Sequence, residues 1–285
     1  MPKFAINTVL WTWPFTAGRL DLLQKVKDFG YSAVEFAIED MSAEHVKKIK
    51  AEVDRLGLET IICGAFGPNR SLIDPVEAVR EEGLKYIKDL LKLCDALGAK
   101  TIVGPTYSVG IFKHVLKPGG REAAQKCFVE GLKEIAPLAE AQGVHIAIEP
   151  LNRYESNFLN LADDTLKLVK EVDSPAIGLH LDPYHMNIEE PGFAGPIEQA
   201  GEKLYHFHIC ENDRGVPGTG TINWGQIAAS LKKIGYDHYL SVECCDPAGL
   251  SPEICELAGV WRAYDENPDK IARECLVFLR QMMGN

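Results

Sequence analysis

The sequence predicts a closed (β/α)8 barrel running through residues 1–285 as one domain. Three observations predict it. Eight short β-rich runs alternate with longer amphipathic segments, an order that implies a parallel sheet. Eight such units in 285 residues match the usual size of the closed form. No composition break, low-complexity linker or internal repeat divides the chain.

The strand candidates, in order, are KFAINTV (3–9), AVEFAI (33–38), ETIICGAF (59–66) and TIVGPT (101–106). They continue with VHIAIE (144–149), AIGLHLD (176–182), LYHFHI (204–209) and HYLSVE (238–243). Each is bounded by turn residues and is rich in β-branched or aromatic side chains. Helical periodicity fills segments such as 42–56, 75–97, 121–142 and 223–234. The stretches DRLGLE, DALGAK, AQGVH and KIGYD place a glycine just past an apolar helical stripe, the expected stop signal.

The last four strands carry a finer pattern, because side chains alternate faces along a strand. Val144, Ile146 and Ile148 oppose His145, Ala147 and Glu149; Ile177, Leu179 and Leu181 oppose Gly178, His180 and Asp182. Tyr205, Phe207 and Ile209 oppose His206 and His208, and Leu240 and Val242 oppose Ser241 and Glu243. Each strand thus has a greasy face for the surrounding helices and a polar face that must look into the barrel. On each polar face a Glu, Asp or His stands at or near the C-terminal end, where barrel enzymes keep their chemistry. Glu149 and Asp182 directly precede proline, which favours extended backbone and helps end the strand.

Bulk properties narrow the function classes. The chain is 46% apolar and 25% charged, as an ordinary globular protein is. Its net charge of −11 opposes phosphate backbones and anionic lipid, so neither nucleic acid nor membrane is an expected partner. The N-terminus, MPKFAINTVLW, has no signal-peptide pattern, and no apolar run of about 18 residues occurs. Eight scattered cysteines without CxxC pairing read as reduced core residues of a cytoplasmic protein.

Glu149, Asp182, His208 and Glu243 therefore converge at one barrel mouth from four successive strands. Three unshielded carboxylates would repel and raise one another's pKa, a conflict that a divalent cation removes. One imidazole with three carboxylates is a mostly hard donor set, suited to Mn2+, Mg2+ or Co2+; Zn2+ is more commonly met with additional His or Cys. Taken singly, an acid at a strand end is more often a helix cap or a loop ion pair. The joint occurrence at four consecutive strand ends, with matching parity, favours the metal centre. His145, His180 and His206 lie deeper on the same faces, as interior or supporting groups.

The segments IEPLNRYESNFLN (148–160), LHLDPYHMNIEE (179–190), HFHICENDRGVPGTG (206–220) and AGVWR (258–262) resemble the ketose 3-epimerase family. That family, within the xylose-isomerase-like barrels, contains D-tagatose, D-psicose (allulose) and L-ribulose 3-epimerases, and the resemblance covers nearly the whole chain. It implies a metal held by Glu149, Asp182, His208 and Glu243, with Glu149 and Glu243 as the catalytic pair. Sugar contacts would fall to Glu155, His185 and Arg214, in homodimers or homotetramers. Tyr184 and Pro183 depart from the family's usual Phe and Thr, and 104–120 departs from the family pattern, which leaves substrate choice most open there.

The chemistry calls for the same residue types. Inverting a carbon beside a ketone takes a proton from one face and returns one to the other, so an acid and a base must stand on opposite sides. A cation stabilises the developing enediolate. Competing expectations are an aldose–ketose isomerase, a sugar-phosphate epimerase binding at GVPGTG, a lyase subunit acting on oxidised glycosides, a metal-dependent DNA endonuclease, and a sugar-binding protein without turnover. Trp11, Trp13, Phe66 and Tyr107 are candidates for packing the sugar, though barrel aromatics are more often core. Glu189 and Glu190 read as a solvated face or a helix start.

Overall fold

In a computed structural model, residues 1–284 are described apart from 65, 67–68, 108–115, 118, 253–254, 257–258 and 264–266. Most of the divergent 104–120 segment and Ala258 of AGVWR thus lie outside the described residues. Eight parallel strands close into a barrel in chain order. They are β1 (Lys3–Asn7), β2 (Ala33–Phe36), β3 (Glu59–Cys63), β4 (Thr101–Val103), β5 (His145–Ile148), β6 (Ile177–Leu181), β7 (Leu204–Ile209) and β8 (Tyr239–Val242). Every strand read from the sequence forms, most of them one to three residues shorter at an end, where the backbone turns out of the ladder into a loop.

The helices are α1 (Asp21–Phe29), α2 (Ala43–Leu56), α3 (Glu77–Leu97), α4 (Arg121–Gln142), α5 (Ala162–Val172), α6 (Pro183–Glu189), α7 (Ala194–Ala200), α8 (Trp224–Lys233) and α9 (Pro268–Met283). Their apolar stripes face the outside of the barrel, as α2 shows with Val46, Ile49, Val53 and Leu56. Gly57, Gly98 and Gly143 end α2, α3 and α4 in left-handed backbone, the conformation glycine adopts without penalty. On α9, Ile271, Ala272, Cys275, Leu276 and Leu279 are buried, and the Tyr31 hydroxyl donates to the Ala272 carbonyl at 2.7 Å. That bond ties the last helix to the start of the barrel.

The barrel interior is stratified. Near its N-terminal end Ala5, Ala33, Ile61, Val103 and Ala147 form a small apolar plug around Tyr205. The presence of Tyr205 there corrects the alternation read from the sequence, which put it on the outer face with Phe207 and Ile209. The β6–β7 register shifts between Leu179 and His180, so β7 carries one extra residue and Tyr205 turns inward beside His206. Gly178 makes room for it: a Cβ at that position would come within 2.3 Å of the Tyr205 ring and 2.5 Å of the Lys203 carbonyl oxygen. Tyr205 stacks on His145 at 4.2 Å and donates to the Pro175 carbonyl at 2.7 Å, which places His145 at the floor, far from the carboxylates. Gly178→Ala is expected to cost about 1–3 kcal/mol by overpacking this floor. Urea unfolding measures it; an unchanged midpoint would mean that the Tyr205 ring yields freely.

Candidate active site and metal centre

The C-terminal ends of β5 to β8 deliver the four expected residues to one spot. Glu149 and Glu243 are the first residues past β5 and β8, pinned by backbone bonds from their N–H groups to Gly104 (3.3 Å) and Ile209 (3.1 Å) carbonyls. The fully buried Tyr107 hydroxyl donates to the Glu149 carbonyl at 3.0 Å, so this aromatic braces the β5 end. It packs edge-on against Phe128 and Phe158 as core. Trp11 and Phe66 are likewise buried, and the Trp11 indole donates to Asp269 at 2.8 Å; Trp13 is half-buried.

Asp182 does two jobs. Its Oδ1 accepts from the Tyr184 N–H at 2.8 Å and caps α6, with Pro183 at the first helical position. The cap that a lone acid usually makes is therefore present, and it still leaves Oδ2 facing the site. His208 Nδ1 lies 3.0 Å from Glu243 Oε2, 3.5 Å from Asp182 Oδ2 and 3.9 Å from Glu149 Oε1. One imidazole nitrogen thus looks at all three carboxylates.

Glu149 Oε1 and His208 Nδ1 are buried with no hydrogen-bond partner. Buried polar atoms are rarely left so. Two such atoms within a group of Glu149, Asp182 and His208 whose ligand atoms lie inside 4.8 Å fit a divalent cation. Burial pushes the Glu149 carboxyl well above the usual range; Glu243 and Asp182 add to this, against the pull of His208 and Arg214. For His208, burial opposes the charged form, yet Glu243 and Glu35 outweigh it and hold the imidazole well above its ordinary value. Asp182 is held well below the carboxylate range: its burial is overcome by Arg214 and by the nearby His208 imidazole.

Arg214 supplies the local positive charge. Its Nη1 donates to Asp182 and, at 2.9 Å, to Glu243 Oε2, while its Cζ lies 4.0 Å from the Tyr184 ring centroid. The residue has φ 67°, a left-handed backbone unusual for arginine and found often at functional sites. The surrounding loop holds it there: buried Glu211 accepts from the Gly218 N–H (2.8 Å), the Ile222 N–H (2.7 Å) and the Trp224 indole (2.9 Å). Of these donors the Gly218 amide belongs to the GVPGTG stretch, and a carboxylate of the chain itself already engages it.

His185, on α6, accepts on Nδ1 from the Asn152 backbone N–H at 3.1 Å. Its Nε2 sits 3.2 Å from Arg214 Nη2, which can only donate, and 3.6 Å from Glu149 Oε1. Burial and the nearby Arg214 lower its pKa to about 3, so the ring is neutral at physiological pH. Asn152 also donates to Glu155 Oε1 at 2.8 Å, linking Glu155 to His185. Burial raises the Glu155 pKa.

Glu189 and Glu190 do not form a solvated face. Glu189, buried at the end of α6, accepts from the Arg153 backbone (2.6 Å) and guanidinium (2.9 Å), and Glu190 accepts from the Ala162 N–H at 2.8 Å at the start of α5. Both strap the β5 and β6 loops together. Sequence reasoning missed Glu35 and Asn7, whose inward parity on β2 and β1 was readable, and Asn152 and Glu211, which have no sequence signal beyond being polar loop residues. All eight cysteines are free thiols, and among the described residues no helix is long and apolar enough to cross a membrane.

The profile of the Xylose isomerase-like TIM barrel family matches residues 23–282. D-psicose 3-epimerase from Agrobacterium fabrum is 30% identical over 292 residues, covering 99% of both chains. D-psicose 3-epimerase from Ruminiclostridium cellulolyticum is 32% identical over 247 residues, 85% of this chain and 83% of its own. The crystal structure of D-allulose 3-epimerase from Methylomonas sp. in complex with D-allulose superimposes with a TM-score of 0.92 at 26% identity, covering 99% of this chain and 97% of that one. With its closed eight-stranded barrel and these full-length relatives, the chain belongs to the ketose 3-epimerase family of xylose isomerase-like TIM barrels.

Proposed function

We propose that the protein is a divalent-metal-dependent isomerase that inverts C3 of free ketohexoses or ketopentoses, such as D-tagatose, D-psicose, D-fructose or L-ribulose. One observation carries the reading: Glu149 and Glu243, from β5 and β8, face one His208 nitrogen together with Asp182. Glu149, Asp182, His208 and Glu243 would hold the ion, with Mn2+ the best match and Co2+ or Mg2+ the alternatives. When bound, the ion supplies Lewis-acid stabilisation of the oxygen charge that develops as a carbon-bound proton leaves.

The chain's own groups do the rest. One of Glu149 and Glu243 removes the C3 proton as a carboxylate; the other returns a proton to the opposite face as an acid. Reversal of the reaction exchanges their roles. His185 and the Arg214 guanidinium act as donors to sugar oxygens where negative charge builds. Glu155 accepts from a sugar hydroxyl.

An unphosphorylated sugar is the better match, because the buried Glu211 carboxylate already takes the Gly218 amide of the GVPGTG loop and would repel a phosphate there. We also expect a homodimer or homotetramer in the cytoplasm. Incubating the Mn2+-loaded protein with these four ketoses in D2O tests the proposal. Deuterium at C3 together with the C3 epimer is the expected result. Label at C1 with an aldose product would replace the proposal by an aldose–ketose isomerase. Turnover confined to oxidised glycosides would replace it by a lyase.

A further inference from the structure

Below the carboxylates, where a plain barrel would carry small apolar side chains such as Ala5, Ala33 and Ala147, the interior holds Glu35 from β2, fully buried. Burying a carboxylate costs several kcal/mol unless its oxygens are well matched, so a leucine of similar size would be the cheaper occupant. Glu35 is hydrogen-bonded through Oε1, while Oε2 faces His206 without hydrogen-bond geometry. Oε1 lies 3.0 Å from His208 Nε2 and accepts from Asn7 Nδ2 at 2.7 Å, and Oε2 lies 2.9 Å from His206 Nε2.

The Asn7 amide is not free to flip. Its Oδ1 accepts from the Val9 N–H at 3.0 Å, which leaves Nδ2 as the end that donates to Glu35 and, at 3.2 Å, to Glu243 Oε1. Asn7 therefore cross-braces the carboxylate under His208 to one of the two proposed proton-transfer groups.

We propose that Glu35 is the positioning residue of the metal centre: as an acceptor it keeps the proton of His208 on Nε2 and aims the Nδ1 lone pair at the ion, with Asn7 bracing Glu35 to Glu243. The proposal rests on the metal-ligand reading above and adds the group that makes His208 a ligand through Nδ1. A carboxylate behind a ligating histidine fixes its tautomer and direction, and losing such a partner typically weakens metal affinity 10–100-fold.

The test titrates metal-stripped full-length protein with Mn2+, reading free Mn2+ by electron paramagnetic resonance, and records the visible absorption of the Co2+ form. Wild type is compared with Glu35→Leu, which removes both acceptors, and Glu35→Gln, which keeps one. The expected result is a Mn2+ dissociation constant raised about 10–100-fold in Glu35→Leu and about tenfold in Glu35→Gln, with a shifted Co2+ band in each. A purely structural role would lower the thermal midpoint and leave both metal readouts within twofold of wild type, which overturns the proposal. Should Glu35→Leu not fold, Glu35→Gln decides alone by the same criterion. Wild type that binds no Mn2+ also overturns it. Tight Mn2+ binding without ketose turnover would sink the epimerase reading and leave the role of Glu35 standing.

Discussion

Glu149→Gln is expected to cut turnover of the preferred ketose by at least about 10³-fold while the protein remains folded. Proton transfer by a positioned side chain contributes roughly 10²–10⁴ in rate, and this residue is also a proposed ligand, so both contributions fall together. Glutamine keeps the shape of the side chain. The backbone of residue 149 stays held by the Gly104 carbonyl and by the Tyr107 hydroxyl, neither of which depends on the carboxylate. In the metal-free protein, burial pushes the Glu149 carboxyl well above its ordinary value, so a neutral amide there relieves the cost of a buried charge. The thermal midpoint without metal is therefore expected to hold or rise. Glu243→Gln is expected to be as inactive, because inversion needs a group on each face. Steady-state rates with paired thermal scans check both; a variant within tenfold of wild type would remove that residue from proton transfer.

Removal of the ion with EDTA is expected to abolish turnover and lower the thermal midpoint, and Mn2+ is expected to restore both. The restoration should strengthen as pH rises, and the signs follow from the buried groups. His208 has a raised folded-state pKa, so its imidazolium stabilises the metal-free protein below the unfolded value of about 6.5, and this contribution is lost as pH climbs through the folded value. Glu149, also raised, works in the same direction: forming its buried charge destabilises the metal-free fold as pH rises. Asp182, held low, contributes stability above the unfolded carboxylate range and loses it only in strong acid, so it does not titrate in this window. As proposed ligands, Glu149 and His208 would have to be deprotonated, so binding is expected to release protons and to compete best when protons are scarce. Thermal scans with and without Mn2+ from about pH 6 to about pH 8 should show a widening gap. Calorimetry in two buffers of different ionisation enthalpy should show proton release. A gap independent of pH would mean that neither group is protonated in the metal-free state.

Much of this site was legible because one rule, the alternation of faces along a strand, applied at four places in phase. That rule put Glu149, Asp182, His208 and Glu243 inside the barrel and at its C-terminal end. It applies equally to Glu35 on β2 and Asn7 on β1, which lie lower in the barrel, beneath the strand ends that carry the carboxylates. It failed at Tyr205, because an extra residue in β7 breaks the period of two and only the pairing partner, β6, reveals the break. The reading of Glu189 and Glu190 failed for a related reason. Two consecutive acids in a polar stretch look solvated until Arg153 and the start of α5 are brought against them.

By itself, then, the sequence determined the barrel, the order of its strands, and which carboxylates and imidazole point inward, since each follows from periodicity and turn chemistry within a few residues of chain. Only the tertiary structure decided that His208 turns Nδ1 to the carboxylates and Nε2 to Glu35, that Arg214 bridges Asp182 and Glu243, and that Glu211 fills its own loop. Those are contacts between residues 29 to 173 positions apart or buried in a loop, and a hydrogen bond's direction depends on ångström-scale placement that no local pattern encodes.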